Sequence, residues 1–172
     1  MKREKLYITV ATILFASGIS GGGFCLVRTS PEILYEYFTG HRGGLLGPMA
    51  GTAALNAVFV WTVLFFSAFF RFGKLTAMLT VFIKGFTNGY AITAAFKIYA
   101  KYGLFISLQD IFYVPLIIYL ASIACNELSD TTPKTGFTRK ALIILLLMGL
   151  SSVFGSCVTC LAGKYILPTL EI

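Results

Sequence analysis

A lysine in the middle of a long apolar stretch is the residue of this sequence that most clearly could have a chemical role. Lys84 follows Lys74 by ten residues, so on a helix it lies roughly 15 Å further along the axis. A lysine near the centre of a bilayer costs on the order of 2.5–3.5 kcal/mol on insertion scales, so it should face protein or water. We therefore expect Lys84 to point into a helix bundle, where it is a structural group satisfied by carbonyls and hydroxyls, a substrate or ion site, or a partner contact.

Polar and small residues share the helix face that carries this lysine. They recur at steps of three and four residues, the spacing of one helical face, and comprise Thr76, Thr80, Lys84, Thr87, Asn88, Ala91 and Ala95. We predict an intramembrane polar face made of Thr80, Lys84, Thr87 and Asn88. Asp110 is the only acid in the predicted spans. With a hairpin that turns near residue 102, Asp110 would lie level with residue 94, roughly 15 Å from Lys84 in depth, so a direct pair needs a broken helix or a long reach.

Two cysteines in the last apolar stretch, Cys157 and Cys160, form a Cys-x-x-Cys motif, with Cys25 predicted at a similar depth. This spacing is typical of a redox pair, because pairing lowers a thiol pKa; the alternative is a pair of small packing residues. The single histidine, His41, has no second soft ligand near the motif, so we expect neither a metal nor a cofactor. The acids are scattered and match no hydrolase motif, so we expect no enzyme.

The composition indicates whether water or lipid surrounds this chain. Hydrophobic residues make up 57% of the 172 residues and charged residues 12%, whereas a soluble domain carries about 25% charged residues. Such sparse charge cannot cover a globular surface. The apolar residues fall into uncharged blocks at 6–27, 43–70 and 141–163. The net charge of +7 is then explained by membrane topology and lipid contact, and no nucleic-acid partner is expected.

These blocks predict an all-α fold, a polytopic helical bundle that forms one membrane domain over residues 1–172. About 20 apolar residues cross the hydrocarbon core, which gives five transmembrane helices at about 6–27, 50–70, 75–98, 107–126 and 141–164. The first block also resembles a signal peptide, but its 22 residues exceed the 7–15 of such a core, so we interpret it as a retained helix. The bias of Lys and Arg, eight against five, predicts an N-terminus inside and a C-terminus outside.

The segment between the first two predicted spans has the features of a short amphipathic helix in the outer interface, at about 31–39. Ser30 can cap this helix, Pro31 suits its first turn, and Glu32 suits its positive end. Its apolar residues fall on one face, as in helices that lie on a membrane surface. The segment is either a structural link or a docking surface for an outside partner.

Glycines at GxxxG spacing occur in the first and third predicted helices. Gly18 and Gly22 form the first pair, and Gly85 and Gly89 form the second. In lipid, small residues let two helix backbones approach closely. These four glycines are therefore predicted helix-packing residues, used within the bundle or in a homo-oligomer.

One segment of the third helix resembles an element of a known family: Lys84-Gly85-Phe86-Thr87-Asn88-Gly89-Tyr90. It is similar to the Lys-Gly-(x)3-Gly-aromatic element of stage II sporulation protein M and its relatives. The glycine pair of the first helix, the outer loop with its short helix, Tyr102-Gly103-Leu104-Phe105 and the mid-helix Pro115 follow in the same order. The resemblance covers about residues 6–166, although the outer loop is shorter than in some relatives.

The resemblance implies a non-enzymatic, multi-pass protein of the bacterial cytoplasmic membrane. In spore formers the family is associated with engulfment, as a scaffold that holds peptidoglycan-remodelling enzymes at the membrane. It implies cell-wall enzymes as partners on the outer face, besides the lipid bilayer. Two alternatives stay open: a small transporter or transporter subunit with a polar cavity around Lys84, to which a kink at Pro115 would give space, and a membrane thiol oxidoreductase that uses Cys157 and Cys160.

Overall fold

The computed structural model of the chain describes residues 2–27, 46–98, 100–127 and 135–166, with side chains for 4–27, 54–97, 104, 107, 110–127 and 136–158. This part of the chain is helical and contains no strand. Its helices are α1 (Lys2–Val27), α2 (Leu46–Ser67), α3 (Gly73–Ile98), α4 (Ala100–Glu127) and α5 (Thr135–Ile166). The prediction of an all-α fold is confirmed.

Three of these helices are long and apolar enough to cross a membrane. Their apolar segments are Glu4–Val27, Asp110–Glu127 and Gly136–Val158. The described apolar segment of α2 is shorter, Ala54–Ser67. α3 is absent from this group because Lys84, Asn88 and several threonines lower the hydropathy of an otherwise apolar helix. Length and composition therefore support three crossing helices and do not by themselves support the expected five.

Large apolar side chains cover the outside of the bundle. Leu55 on α2 is 71% exposed, Leu75 on α3 is 69% exposed and Leu146 on α5 is 65% exposed. Similar residues follow the outer face of every helix. A soluble monomer rarely exposes contiguous apolar surface on this scale, whereas lipid tails solvate it. This is the surface expected of a membrane protein.

The core of the bundle is built from small and branched side chains of all five helices. Ala11 and Phe15 contribute from α1, and fully buried Leu64, Val81, Ile117 and Met148 contribute from the other four helices. The alanines let helices approach, while the larger residues fill the space between them. The core thus lies along the bundle axis, and the helix faces that line it are opposite the lipid-exposed faces.

Two short links fix the directions of the middle helices. The link between α2 and α3 covers residues 68–72 and is tightened by bonds from Phe69 N to Phe66 O (2.9 Å) and from Gly73 N to Phe70 O (2.9 Å). α3 ends at Ile98 and α4 begins at Ala100. Links this short join antiparallel neighbours, so α2 and α4 run opposite to α3.

α4 begins at Ala100, before the membrane span predicted at about 107–126. Tyr102 and Gly103, near which a hairpin turn is expected, therefore lie inside the helix. A single glycine costs a helix only about 1 kcal/mol relative to alanine, which neighbouring helical residues offset. α4 also continues through Pro115, whose side chain is exposed.

Side-chain contacts set the remaining directions. Trp61 Nε1 on α2 donates a hydrogen bond of 2.7 Å to the carbonyl oxygen of Ala141 on α5. One turn further along α2, Phe65 stacks on Phe137, which precedes Ala141 in α5. The contacts run in opposite directions, so α2 and α5 are antiparallel. α1, α3 and α5 therefore point one way, and α2 and α4 point the other.

Candidate functional site

The closest contact in the bundle is between α1 and α3, which approach each other at their glycines. A Cβ added at Gly18 would overlap the carbonyl oxygen of Phe82, and one at Gly22 would overlap that of Phe86. On the opposite helix, a Cβ at Gly85 would overlap the carbonyl oxygen of Phe15. Because each obstacle is backbone, it cannot move aside as a flexible side chain would. The two helices meet backbone to backbone, as small-xxx-small sequences permit.

The same contact shows that α1 and α3 run parallel. Gly89 lies against the backbone of Ile19, one turn beyond the contact of Gly85. Near the end of both helices, Lys97 Nζ donates hydrogen bonds to the carbonyl oxygens of Leu26 (3.1 Å) and Val27 (3.3 Å). These are among the last carbonyls of α1, which have no partner within their own helix. Lys97 therefore caps α1 from the neighbouring helix.

At the other end of this helix pair, a second lysine joins α3 to α1. The ammonium of Lys74 lies over the ring of Tyr7, 5.6 Å from its centroid. Lys74 thus fixes the starts of the two helices in the way that Lys97 fixes their ends. Four glycines in the middle and one lysine at each end hold α1 and α3 in a single register.

Four polar side chains form a cluster between α3 and α4, called here the Lys84 cluster: Lys84, Asn88, Asp110 and Tyr113. The ammonium of Lys84 lies over the ring of Tyr113, 5.4 Å from the centroid, a cation–π geometry. Lys84 and Asp110 interact through their opposite charges. The Tyr113 hydroxyl and the Asn88 amide also lie within electrostatic range of the Asp110 carboxylate.

Two polar atoms of the Lys84 cluster are buried without a hydrogen-bond partner. They are Nδ2 of Asn88 and the hydroxyl oxygen of Tyr113, on residues that are 9% and 6% exposed. The Asn88 side chain also interacts with the Asp110 carboxylate, although no hydrogen bond of ordinary geometry satisfies its Nδ2. An unsatisfied buried polar atom costs about 1–3 kcal/mol, and two in one cluster indicate an incomplete set of partners.

The expected separation of Lys84 and Asp110 in depth is wrong. A hairpin that turns near residue 102 does not fit the helix bounds, because α3 ends at Ile98 and α4 begins at Ala100. These bounds move Asp110 from the level of residue 94 to that of residue 88, about 9 Å closer to Lys84. The remaining difference in depth between Lys84 and Asp110 is about one helical turn, which the long lysine side chain can span. Neither a broken helix nor a kink at Pro115 is needed to bring the two charges together.

The threonines of the predicted polar face do not belong to the Lys84 cluster. Thr80 is half-buried and its hydroxyl donates to the carbonyl oxygen of Thr76 (2.8 Å). Thr87 is exposed and its hydroxyl donates to the carbonyl oxygen of Lys84 (3.0 Å). Both hydroxyls thus donate their hydrogen bonds within α3, as threonine side chains in helices commonly do. The prediction that Thr87 faces the interior is wrong, because Gly85 and Gly89 turn the buried face of α3 away from it.

Tyr113 is the cluster residue that sequence reasoning missed. It lies three residues after Asp110, on the same face of α4. With α3 ending at Ile98 and α4 beginning at Ala100, its level on α3 is that of Gly85, one residue from Lys84. The spacing was present in the sequence, but the misplaced turn hid it.

The cysteines whose side chains are described form no disulfide. Cys157 is an exposed thiol, Cys125 is buried, and neither forms a disulfide. The side chain of Cys160 lies outside the described residues, so the predicted redox pair stays a prediction. No group of three or more His, Cys, Asp or Glu side chains that could hold a metal occurs among the described residues.

The predicted interfacial helix at about 31–39 and His41 also lie outside the described residues. No family model matches the chain, and no curated protein or solved structure does so either. The candidate site therefore stands on its own geometry, which consists of the α1–α3 glycine contact and the Lys84 cluster beside it.

Proposed function

We propose that this chain is a non-enzymatic membrane scaffold of the stage II sporulation protein M type, which holds peptidoglycan-remodelling proteins at the bacterial cytoplasmic membrane during engulfment. One observation carries the proposal. The residues on which the resemblance rests, the two glycine pairs and Lys84, converge on one region of the bundle, where the glycines fix the backbone geometry of α1 and α3. A motif that sets helix packing suits a protein whose task is to present a rigid surface.

The proposal includes five membrane crossings. The alternating directions of α1 to α5 support it, because each successive helix returns through the same layer. α3 has 26 residues, about 39 Å at 1.5 Å per residue, and Lys84 and Asn88 in its middle are turned towards α4. Partial or full burial of these two side chains lets a helix of lower mean hydropathy cross a bilayer.

The described charges support the proposed orientation, with the N-terminus in the cytoplasm and the C-terminus outside. Basic residues gather at the end of the bundle where α1, α3 and α5 begin: Lys5, Arg71, Lys74, Arg139 and Lys140. The opposite end has Lys97 among the described side chains, and Lys97 is occupied in capping α1. An excess of Lys and Arg marks the cytoplasmic side.

The partners that this role requires are cell-wall enzymes, which would bind at the outer end of the bundle. The loop between α1 and α2 is attached there and is the proposed docking segment. A second copy of the chain is a further proposed partner.

A co-purification from membranes solubilised in mild detergent tests the scaffold. We expect the tagged wild type to retain identified peptidoglycan-remodelling enzymes, and Gly89→Leu to lose them while its own yield is maintained. The matched control is Gly149→Ala on α5, where an added Cβ would have no neighbour within 4 Å. It should retain the same enzymes.

Reciprocal capture decides the result. A tagged cell-wall enzyme should recover the wild-type chain and the control variant, but not Gly89→Leu. A wild-type preparation that contains no cell-wall enzyme, in both directions of capture, would overturn the scaffold.

One observation favours a second candidate, a small transporter or transporter subunit. The Lys84 cluster places two opposite charges and two unpartnered polar atoms inside a helix bundle. Ionisable groups within transmembrane helices commonly mark substrate or ion pathways. No comparable observation favours the thiol oxidoreductase.

A further inference from the structure

The unmet hydrogen-bonding capacity of the Lys84 cluster is mainly that of donors. Lys84 offers three N–H groups and no acceptor, and the Asn88 amide nitrogen offers two. The Tyr113 hydroxyl offers one more. The carboxylate of Asp110 is the acceptor with which all three residues interact, yet the nitrogen of Asn88 and the hydroxyl of Tyr113 still lack a partner. The missing component of the cluster is therefore an acceptor.

The charge of the cluster limits what this acceptor can be. Lys84 and Asp110 cancel, and the other charged side chains described on the helices packed around them lie towards the helix ends: Glu4, Lys5, Lys74, Lys97, Glu127, Arg139 and Lys140. The described side chains of α2 carry no charge. Because a net charge inside an apolar bundle is costly, an anion can enter only if a positive charge enters with it.

We propose that the Lys84 cluster binds one small monovalent anion together with one proton. The anion accepts hydrogen bonds from the Lys84 ammonium, the Asn88 amide and the Tyr113 hydroxyl. The proton adds to the Asp110 carboxylate, which becomes a neutral acid and releases its hold on Lys84. The cluster is neutral before and after, and no bond between heavy atoms forms or breaks.

The position of the cluster favours a halide-sized anion over a lipid phosphate. Lys84 lies eleven residues into α3, about 16 Å from its start, which is far from the headgroups at either end of the helix. This inference does not depend on the scaffold role, since a scaffold needs no ion in this position.

Bromide is a suitable probe for the purified full chain in mild detergent. The ionic strength is held constant with gluconate, and binding is measured by calorimetry in weak buffer at several pH values. We expect saturable binding with uptake of one proton per bromide. Linkage then requires the affinity to rise about tenfold for each unit by which the pH falls, within the range where the empty site has an ionised Asp110.

Three variants separate the parts of the proposal. Lys84→Met should abolish bromide binding. Asp110→Asn should bind bromide with no proton uptake and no dependence on pH, because its side chain is neutral throughout. Tyr113→Phe should weaken binding by about tenfold, the loss expected for one hydrogen bond to a charged group.

Thr87→Val is the matched control on α3, because Thr87 is exposed and lies outside the cluster. It should behave as the wild type. If Lys84→Met fails to fold, Asp110→Asn still provides the decisive comparison, because it replaces a carboxylate by an amide of the same shape.

Three results would overturn the inference. Equal bromide binding by the wild type and a folded Lys84→Met would show a general halide effect. Binding without proton uptake would refute the coupled proton. Absence of saturable binding at any pH would show that the cluster holds water alone. None of these results bears on the co-purification of cell-wall enzymes, so the two proposals can fail separately.

Discussion

Lys84 shows how an apolar bundle can accommodate a charged residue whose burial is costly. Its charge is balanced by Asp110, and its ammonium lies on the ring face of Tyr113. Each of these interactions offsets part of the cost of removing the ammonium from water. The partners come from α4, so the lysine links two helices that are consecutive in the chain.

Removal of one charge of this pair should destabilise the protein more than removal of both. Lys84→Met leaves the Asp110 carboxylate buried without its counter-charge, and Asp110→Asn leaves the ammonium in the same state. Each should lower the free energy of unfolding by on the order of 3 kcal/mol. The double variant leaves no charge unpaired and should therefore lose less than either single variant, and clearly less than the sum of the two losses.

Unfolding in a series of mixed detergent micelles, followed by circular dichroism, measures the three free energies. Thr87→Val is again the control and should change stability by less than about 0.5 kcal/mol, as surface substitutions do. Losses that add up without any coupling would show that the two charges do not sense each other.

At the scale of the element, α1 and α3 form the part of the bundle that tolerates the least change. Their glycines are needed for close approach and not for unusual backbone angles, since no described glycine has a positive φ. Any side chain at these positions therefore separates the two backbones. The contact is rigid for the same reason.

A comparison of two glycines tests this difference. Gly22→Ala inserts a Cβ into the carbonyl oxygen of Phe86, and overpacking of this kind costs about 1–3 kcal/mol. Gly149→Ala on α5 meets no atom within 4 Å, so the higher helix propensity of alanine should stabilise by up to about 1 kcal/mol. The unfolding assay used for Lys84 reads both changes, and opposite signs are expected.

The elements also show where sequence reasoning succeeds and where it stops. Helix order and the GxxxG pairs were visible because apolar blocks and glycine spacing are local patterns. Tyr102 and Gly103 favour a turn locally, but their helical neighbours override this preference, and α4 begins at Ala100. A turn near residue 102 would place Asp110 and Tyr113 at a different depth from Lys84, so it does not predict that these three residues are neighbours.

At the scale of the whole molecule, the number of helices that cross the membrane determines the topology. The hydropathy of the described residues identifies three, and the topology proposed above has five. The two counts differ in where they place residues 68–72, which connect α2 and α3. With five crossings this link is cytoplasmic, and with α1, α4 and α5 as the three crossing helices it is outside.

Cysteine labelling of the full chain distinguishes the two topologies. In a chain whose four natural cysteines are replaced, Arg71→Cys should react with a membrane-impermeant maleimide only after the cells are permeabilised. Arg71 is exposed and lies in the link. Arg139→Cys near the start of α5 should be cytoplasmic in both topologies and serves as the control. Labelling of Arg71→Cys in intact cells, with Arg139→Cys protected, would exclude five crossings.

The pairing of α1 with α3 has a consequence for the order of biosynthesis. α1 leaves the ribosome first, but the backbone against which it fits belongs to a helix made only after α2 is complete. Lys84 is likewise synthesised before the α4 residue that neutralises it. The nascent chain therefore passes through a stage with an uncovered glycine face and an unbalanced charge. This stage ends when α3 has packed on α1 and α4 has brought Asp110 close to Lys84.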